Sequence, residues 1–203
     1  MDRRTHWNEA WTSRSPEKVS WYQARPEPSL GLITAVSTPR DVVVDVGGGA
    51  SALAGALVAE GYEDVAVLDV SGAALDALRT RLGDAGKRVR TIEADVLEHR
   101  FGDGEVAVWH DRAVFHFLTD ANDRARYRAQ LEVAVRSGGY VIVGTFAADG
   151  PTKCSGLPVE RYDAAALVGE LGANCRLVKS VRHEHHTPWG AAQPFTFVVA
   201  RVT

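Results

Sequence analysis

The sequence predicts an α/β fold in which a doubly wound, mainly parallel sheet carries helices on both faces. From Asp41 onward, short β-branched runs alternate with amphipathic stretches, as repeated strand-helix-strand units require. Gly47-Gly48-Gly49 ends the first run in a turn that leads into a helix, and two late extended runs meet at Pro188-Trp189-Gly190.

The elements follow in order. Residues 1–40 are rich in Trp and Pro (Trp7, Trp11, Trp21, Tyr22, Pro26, Pro28), too aromatic for a disordered tail, and are expected to fold over the sheet as a lid. Strands are predicted over residues 42–46, 65–69, 88–93, 106–110 and 140–146. Ser71 caps a helix carrying Ala74, Leu78 and Leu82 at helical spacing. Asp120 does the same for Tyr127, Leu131 and Val135, with Ser137-Gly138-Gly139 expected to end that helix. Asp163 caps a further helix through Leu167 and Leu171 that ends at Gly172. Residues 176–186 and 195–202 then read as an antiparallel hairpin closing the sheet.

At 203 residues and 45% hydrophobic, the chain has the length of one domain, 1–203, with a lid segment over 1–40 and a core over 41–203. A formal charge of -3 with scattered Lys and Arg offers no stripe for a phosphate backbone, so nucleic acid is not an expected partner. Cys154 and Cys175 are the only cysteines, and the chain starts without the apolar core of a signal peptide. No apolar run approaches the roughly 20 residues of a membrane span. A cytoplasmic, membrane-free protein is expected.

The stretch Val43-Val44-Asp45-Val46-Gly47-Gly48-Gly49-Ala50-Ser51-Ala52 has G-x-G-x-x-A spacing from Gly47 to Ala52, where missing Cβ atoms let backbone approach a ligand. Alone, such a turn can be structural. Its neighbours make it specific: Asp69 lies 20 residues beyond Gly49, where an acid that binds ribose hydroxyls should sit, and Asp95 follows the third strand. Asp45 separates two cofactor classes. A carboxylate beside the loop repels the pyrophosphate of a dinucleotide, whereas S-adenosylmethionine (SAM) brings a sulfonium and an ammonium and no phosphate. Asp45 as a structural acid on loop amides, and Asp69 as a helix cap before Ser71, are the competing readings.

Asp45-Val46-Gly47-Gly48-Gly49, Asp69, Asp95 and the late hairpin resemble the class I SAM-dependent methyltransferases. That resemblance implies a Rossmann-like, seven-stranded sheet with an antiparallel C-terminal strand. It also implies Asp45 and Gly47–Gly49 around the methionyl part, Asp69 on ribose, and Asp95 and Val96 beside adenine, with Val70 also counted in the cofactor site. More locally, Trp109-His110-Asp111-Arg112-Ala113-Val114-Phe115 is similar to the stretch after the fourth strand in the thiopurine and tellurite-resistance methyltransferase group, and Trp21-Tyr22 resembles that group's aromatic lid in placement. Small, soft nucleophiles such as thiols or chalcogen compounds are the acceptors this implies.

Open α/β sheets bind ligands at the carboxyl ends of their strands, where His110, Asp111 and Arg112 emerge. Methyl transfer is an in-line displacement in which alignment supplies much of the rate. If the acceptor must lose a proton, His110 is the first candidate base and His116 the second, against a hydrogen-bonding role for His110 and simple packing for His116 between two phenylalanines. Arg112 can hold an anionic acceptor, neutralise the cofactor carboxylate or pair with a nearby acid. Trp21 and Tyr22 can wall the sulfonium with an aromatic face or merely pack the N-terminal helices. In a strand His183 and His185 share one face and His186 points to the other, so His183-Glu184-His185-His186 is not expected to hold a metal. Cys154 reads as an ordinary thiol on a loop able to roof the acceptor pocket.

The leading expectation is therefore a methyltransferase acting on a small molecule. Its rivals are protein lysine N-methylation, a nicotinamide-dependent oxidoreductase and a non-catalytic SAM-binding module. Methylation of base or glutamine amino groups lacks its Asn/Asp-Pro-Pro-aromatic sequence, since His110-Asp111-Arg112-Ala113 stands there.

Overall fold

The computed structural model describes residues 2–13 and 15–203. Seven strands form one sheet in the order β3-β2-β1-β4-β5-β9-β8: β1 (Val43–Val46), β2 (Val65–Asp69), β3 (Val89–Glu93), β4 (Val106–Arg112), β5 (Val135–Phe146), β8 (Cys175–His186) and β9 (Ala192–Val202). The first five run parallel, and β9 is antiparallel to both neighbours. The Rossmann-like sheet with an antiparallel C-terminal strand is thus present. A two-residue pair, β6 (Lys153–Cys154) with β7 (Leu157–Pro158), stands apart.

Helices cover both faces, and strand alternation decides which side chain meets which cover. On one face Val44, Val46 and Trp109 pack with Tyr127 and Leu131 of α5 (Ala121–Ala134) and Leu167 and Leu171 of α6 (Ala164–Leu171). On the other, Val43, Val67 and Val108 meet Leu57 of α3 (Leu53–Ala59), Leu75 and Leu78 of α4 (Gly72–Leu82) and Leu32 and Ile33 of α2 (Ser29–Thr34). The caps expected at Ser71, Asp120 and Asp163 accept the amides of Ala74, Asn122 and Ala166. The connection from β3 to β4 has no helix; Val96, Leu97 and Phe101 bury themselves there instead.

The structure corrects one boundary. Helix α5 ends at Ala134, so Ser137-Gly138-Gly139 does not terminate it. Val135 already pairs with Val106, and Tyr140 pairs with Val108, so residues between them bulge out of the ladder. The spacing of Tyr127, Leu131 and Val135 continued past the helix because Val135 is buried in the strand as well.

A buried chain of polar groups ties α5 to the carboxyl end of β4. Trp109 Nε1 donates to Tyr127 Oη (2.8 Å), which donates to Asp111 Oδ2 (2.8 Å). Asp111 also accepts the amides of Val114 (2.9 Å) and Phe115 (3.1 Å), holding the loop after β4. Removing the carboxylate strands three buried donors, so Asp111→Ala is expected to cost at least about 2 kcal/mol of unfolding free energy in urea, and Tyr127→Phe about 1–2 kcal/mol. Equal stability of either variant with the parent would refute this anchor.

Candidate active site

The main cavity opens at the carboxyl ends of β1, β2 and β4, as sheet topology dictates. Asp45, Gly47, Gly48 and His110 line its centre. Asp69, Val70, Asp95 and Val96 line the side toward β3, and Trp21 and Arg112 the side toward β5 and β9. Gly49 does not reach the cavity wall: it lies under Trp11, whose ring a Cβ there would strike, and it takes a positive φ of 47°. A Cβ on Gly48 would overlap the Asp45 carboxylate, so loop and acid are fitted to one another.

His110 and Asp45 are cross-strand neighbours. His110 Nδ1 donates to Asp45 Oδ1 (2.7 Å), which leaves Nε2 to accept from Ser29 Oγ (2.8 Å) in the neutral ring. Ser29, at the start of α2, was not expected from sequence, and nothing but its position after Pro28 marks it. With both nitrogens engaged, His110 is held as a hydrogen-bonding element of the wall, and no lone pair is left for an acceptor's proton.

Asp69 accepts the Ser71 amide (2.8 Å). Burial pushes its carboxyl up to about 7, although the amides of Ser71 and Gly49 pull it down. A buried acid of this kind suits ribose hydroxyls, which stabilise the carboxylate as donors.

Asp111 and His116, both expected near the chemistry, do not line the cavity. Asp111 follows His110 in an extended strand and so points to the opposite face, into the Tyr127 anchor, with burial raising it to about 6. His116 packs edge-on against Phe117 and Phe146, accepts the Phe146 amide at Nδ1 (3.4 Å), and is held down to about 3 by burial and the nearby Arg112. It is neutral at physiological pH and sits behind Phe117, which separates it from the cavity.

Arg112 remains at the wall. Its Nη1 donates to the Trp21 carbonyl (3.1 Å) and its guanidinium lies 5.0 Å from the centre of the Phe195 ring. Burial lowers it to about 10, so it stays charged near neutral pH.

The N-terminal segment supplies contacts that sequence reasoning did not find. In α1 (Arg3–Thr12), Asn8 accepts from Ser71 Oγ (2.7 Å), Arg4 pairs with Glu93 (2.6 Å), and Arg3 bridges Asp95 (3.3 Å) and Asp123. Trp7 stacks edge-on against Trp21 and Phe117, and Trp11 against Trp21. Among the described residues no three metal-ligating side chains converge: His185 Nε2 meets the Ser20 carbonyl (2.7 Å), and His186 pairs with Glu184 (3.2 Å). No helix of the described residues is long and apolar enough to cross a membrane.

The sheet order and its antiparallel last strand define a Rossmann-like α/β domain, with the acids and glycines gathered at the carboxyl edge. Residues 43–139 match the family model described as a methyltransferase domain. That match and the shared sheet make the chain similar to the class I SAM-dependent methyltransferases, in which SAM supplies an electrophilic methyl group on a sulfonium. A curated relative, the eEF1A lysine and N-terminal methyltransferase of Bos taurus, is 25% identical over 120 residues, 59% of this chain but only 17% of that protein. Three solved structures share the fold. One, from work on conversion of a disulfide bond into a thioacetal group during echinomycin biosynthesis, is 16% identical with a TM-score of 0.81, covering 99% of this chain and 92% of that one. The Burkholderia thailandensis 1,6-didemethyltoxoflavin-N1-methyltransferase, with its substrate and S-adenosylhomocysteine bound, is 20% identical with a TM-score of 0.70, covering 98% and 84%. A TehB-like SAM-dependent methyltransferase from Corynebacterium glutamicum is 13% identical with a TM-score of 0.65, covering 98% of both chains.

The raised carboxyl of Asp69 gives its expected ribose contact a pH signature. Burial disfavours its charged form, so if ribose hydroxyls donate to this carboxylate, binding expels a proton and strengthens as pH rises through about 7. Affinity for S-adenosylhomocysteine is expected to climb up to about tenfold between about pH 6 and pH 8 by calorimetry, with this rise absent in Asp69→Asn. Asp69→Ala should lose about 1–3 kcal/mol of binding; unchanged affinity would leave Asp69 a helix cap only.

Proposed function

We propose that the chain transfers the methyl group of SAM to a small-molecule nucleophile, with thiols and related chalcogen compounds as the first class. Asp69 would bind the ribose, Asp95 and Val96 would flank adenine, and Asp45 with the Gly47-Gly48 turn would face the methionyl part. His110, locked between Asp45 and Ser29, would position that part rather than move a proton. Residues 1–40 would form a lid on a core over 41–203, contributing Trp7, Trp11 and Trp21 to the wall.

The observation that carries the small-molecule reading is this aromatic cover, which lies across the carboxyl edge of the sheet. A protein side chain would need an open channel there. The thiol preference rests on the lack of a disengaged imidazole among the described residues lining the cavity: both nitrogens of His110 are bonded, and His116, His183 and His185 do not line it. A thiol, with an ordinary pKa near about 8.5, ionises without enzymatic help more readily than an alcohol or an ammonium. Lysine N-methylation is the second reading, favoured by the Bos taurus relative alone. It would bring an ammonium beside the Arg112 cation.

Incubation with labelled SAM and a panel of thiols, selenols, phenols, amines and cell lysate is expected to label thiols or selenols first. Label confined to a protein band would overturn the small-molecule reading, and labelling of phenols or amines ahead of thiols would overturn the thiol preference.

A further inference from the structure

Arg112 is the charged side chain in the cavity wall whose hydrogen-bonding capacity is left open. Nη1 is spent on the Trp21 carbonyl, while Nε and Nη2 are both buried and have no partner. Those two nitrogens form one edge of the guanidinium, the fork whose parallel donors match the two oxygens of a carboxylate. No carboxylate of the described residues lies within ion-pair distance of Arg112, and Asp45 acts on its charge only from farther off. Phe195 stacks on the guanidinium, 5.0 Å from its centre, so the plane of the fork is set in advance. A buried cation with a vacant fork is costly to maintain, and it is stabilised when an anion arrives.

Sheet order says which ligand this fork faces. The adenosine-side acids, Asp69 and Asp95, lie on and beyond β2, whereas Arg112 lies across β1 from them, on β4 over Phe195 of β9. Cys154 of β6 also lines this side of the cavity, and Arg112 acts electrostatically on Cys154, His183 and His185. That is the acceptor half.

We infer that Arg112 selects methyl acceptors bearing a carboxylate or similarly flat anionic group, which its Nε/Nη2 edge grips beside the reacting atom. This rests on the methyltransferase reading and narrows its substrate class. The apolar body of such an acceptor meets Trp21 and Phe117.

Benzoate and benzamide titrated into protein saturated with S-adenosylhomocysteine provide the test, since they differ in charge and little in shape. The wild-type complex is expected to bind benzoate at least about tenfold more tightly than benzamide, one charge-assisted bidentate contact. Arg112→Met should abolish the preference while leaving S-adenosylhomocysteine affinity within about twofold and thermal stability equal or higher, because an unpaired buried charge is removed. Arg112→Lys keeps charge without the fork and should retain a reduced preference; it also serves if the Met variant does not fold. Equal binding of the two probes to wild type, or a benzoate preference surviving in Arg112→Met, overturns the inference. So does a large loss of S-adenosylhomocysteine affinity in Arg112→Met with 5′-methylthioadenosine unaffected, which would assign the fork to the cofactor's own carboxylate. Failure of wild type to bind S-adenosylhomocysteine would instead bring down the methyltransferase reading itself.

Discussion

The pairing register of β1 with β4 sets Asp45 opposite His110 and Val46 opposite Asp111, and most of the site depends on it. Because side chains alternate, a slip of one residue would turn His110 and Arg112 into the α5 face and bring Asp111 to the cavity. The register is secured on both faces at once. Trp109, fully buried, is bonded to Tyr127, and His110 is bonded to Asp45 on the other side. Apolar packing and two polar contacts therefore oppose the same slip.

Much of the sheet was legible in the sequence because its strands are buried on both faces and read as β-branched runs. β1 and β2 are buried along their whole length. The capping residues were legible for a similar reason: Ser71, Asp120 and Asp163 act on amides two or three residues away, a local interaction. Val135 misled because four-residue spacing is compatible with both the last turn of a helix and an inward strand position, and only the partner strand decides between them. Asp111 is different, since the information was available. His110, Asp111 and Arg112 are adjacent in sequence, yet period-two alternation in a strand running to Arg112 sorts them to opposite faces.

The contacts of Ser29, Asn8 and Trp11 were illegible, since their partners lie tens of residues away and none sits in a recognisable motif. Ser29 reaches His110 across 81 positions and Asn8 reaches Ser71 across 63. Such contacts follow from where α1 and α2 come to rest, which is a consequence of burying Trp7, Trp11, Leu32 and Ile33, and not of their own local preferences.

The division of labour among the charged groups follows from what each is offered in the protein. Asp111 receives three protein donors and becomes part of the framework, whereas Asp45 is matched by one imidazole, the Ser51 hydroxyl and a fitted turn. Asp69 is satisfied along one edge by loop amides, and its burial leaves it ready to be charged by an incoming donor. The ion pairs of α1 with Glu93, Asp95 and Asp123 are half exposed and contribute little individually, so the aromatic contacts of Trp7 and Trp11 carry more of the cover's hold on the sheet. Arg3 nonetheless engages Asp95, so α1 is tied to the acid that follows β3 at the cavity wall.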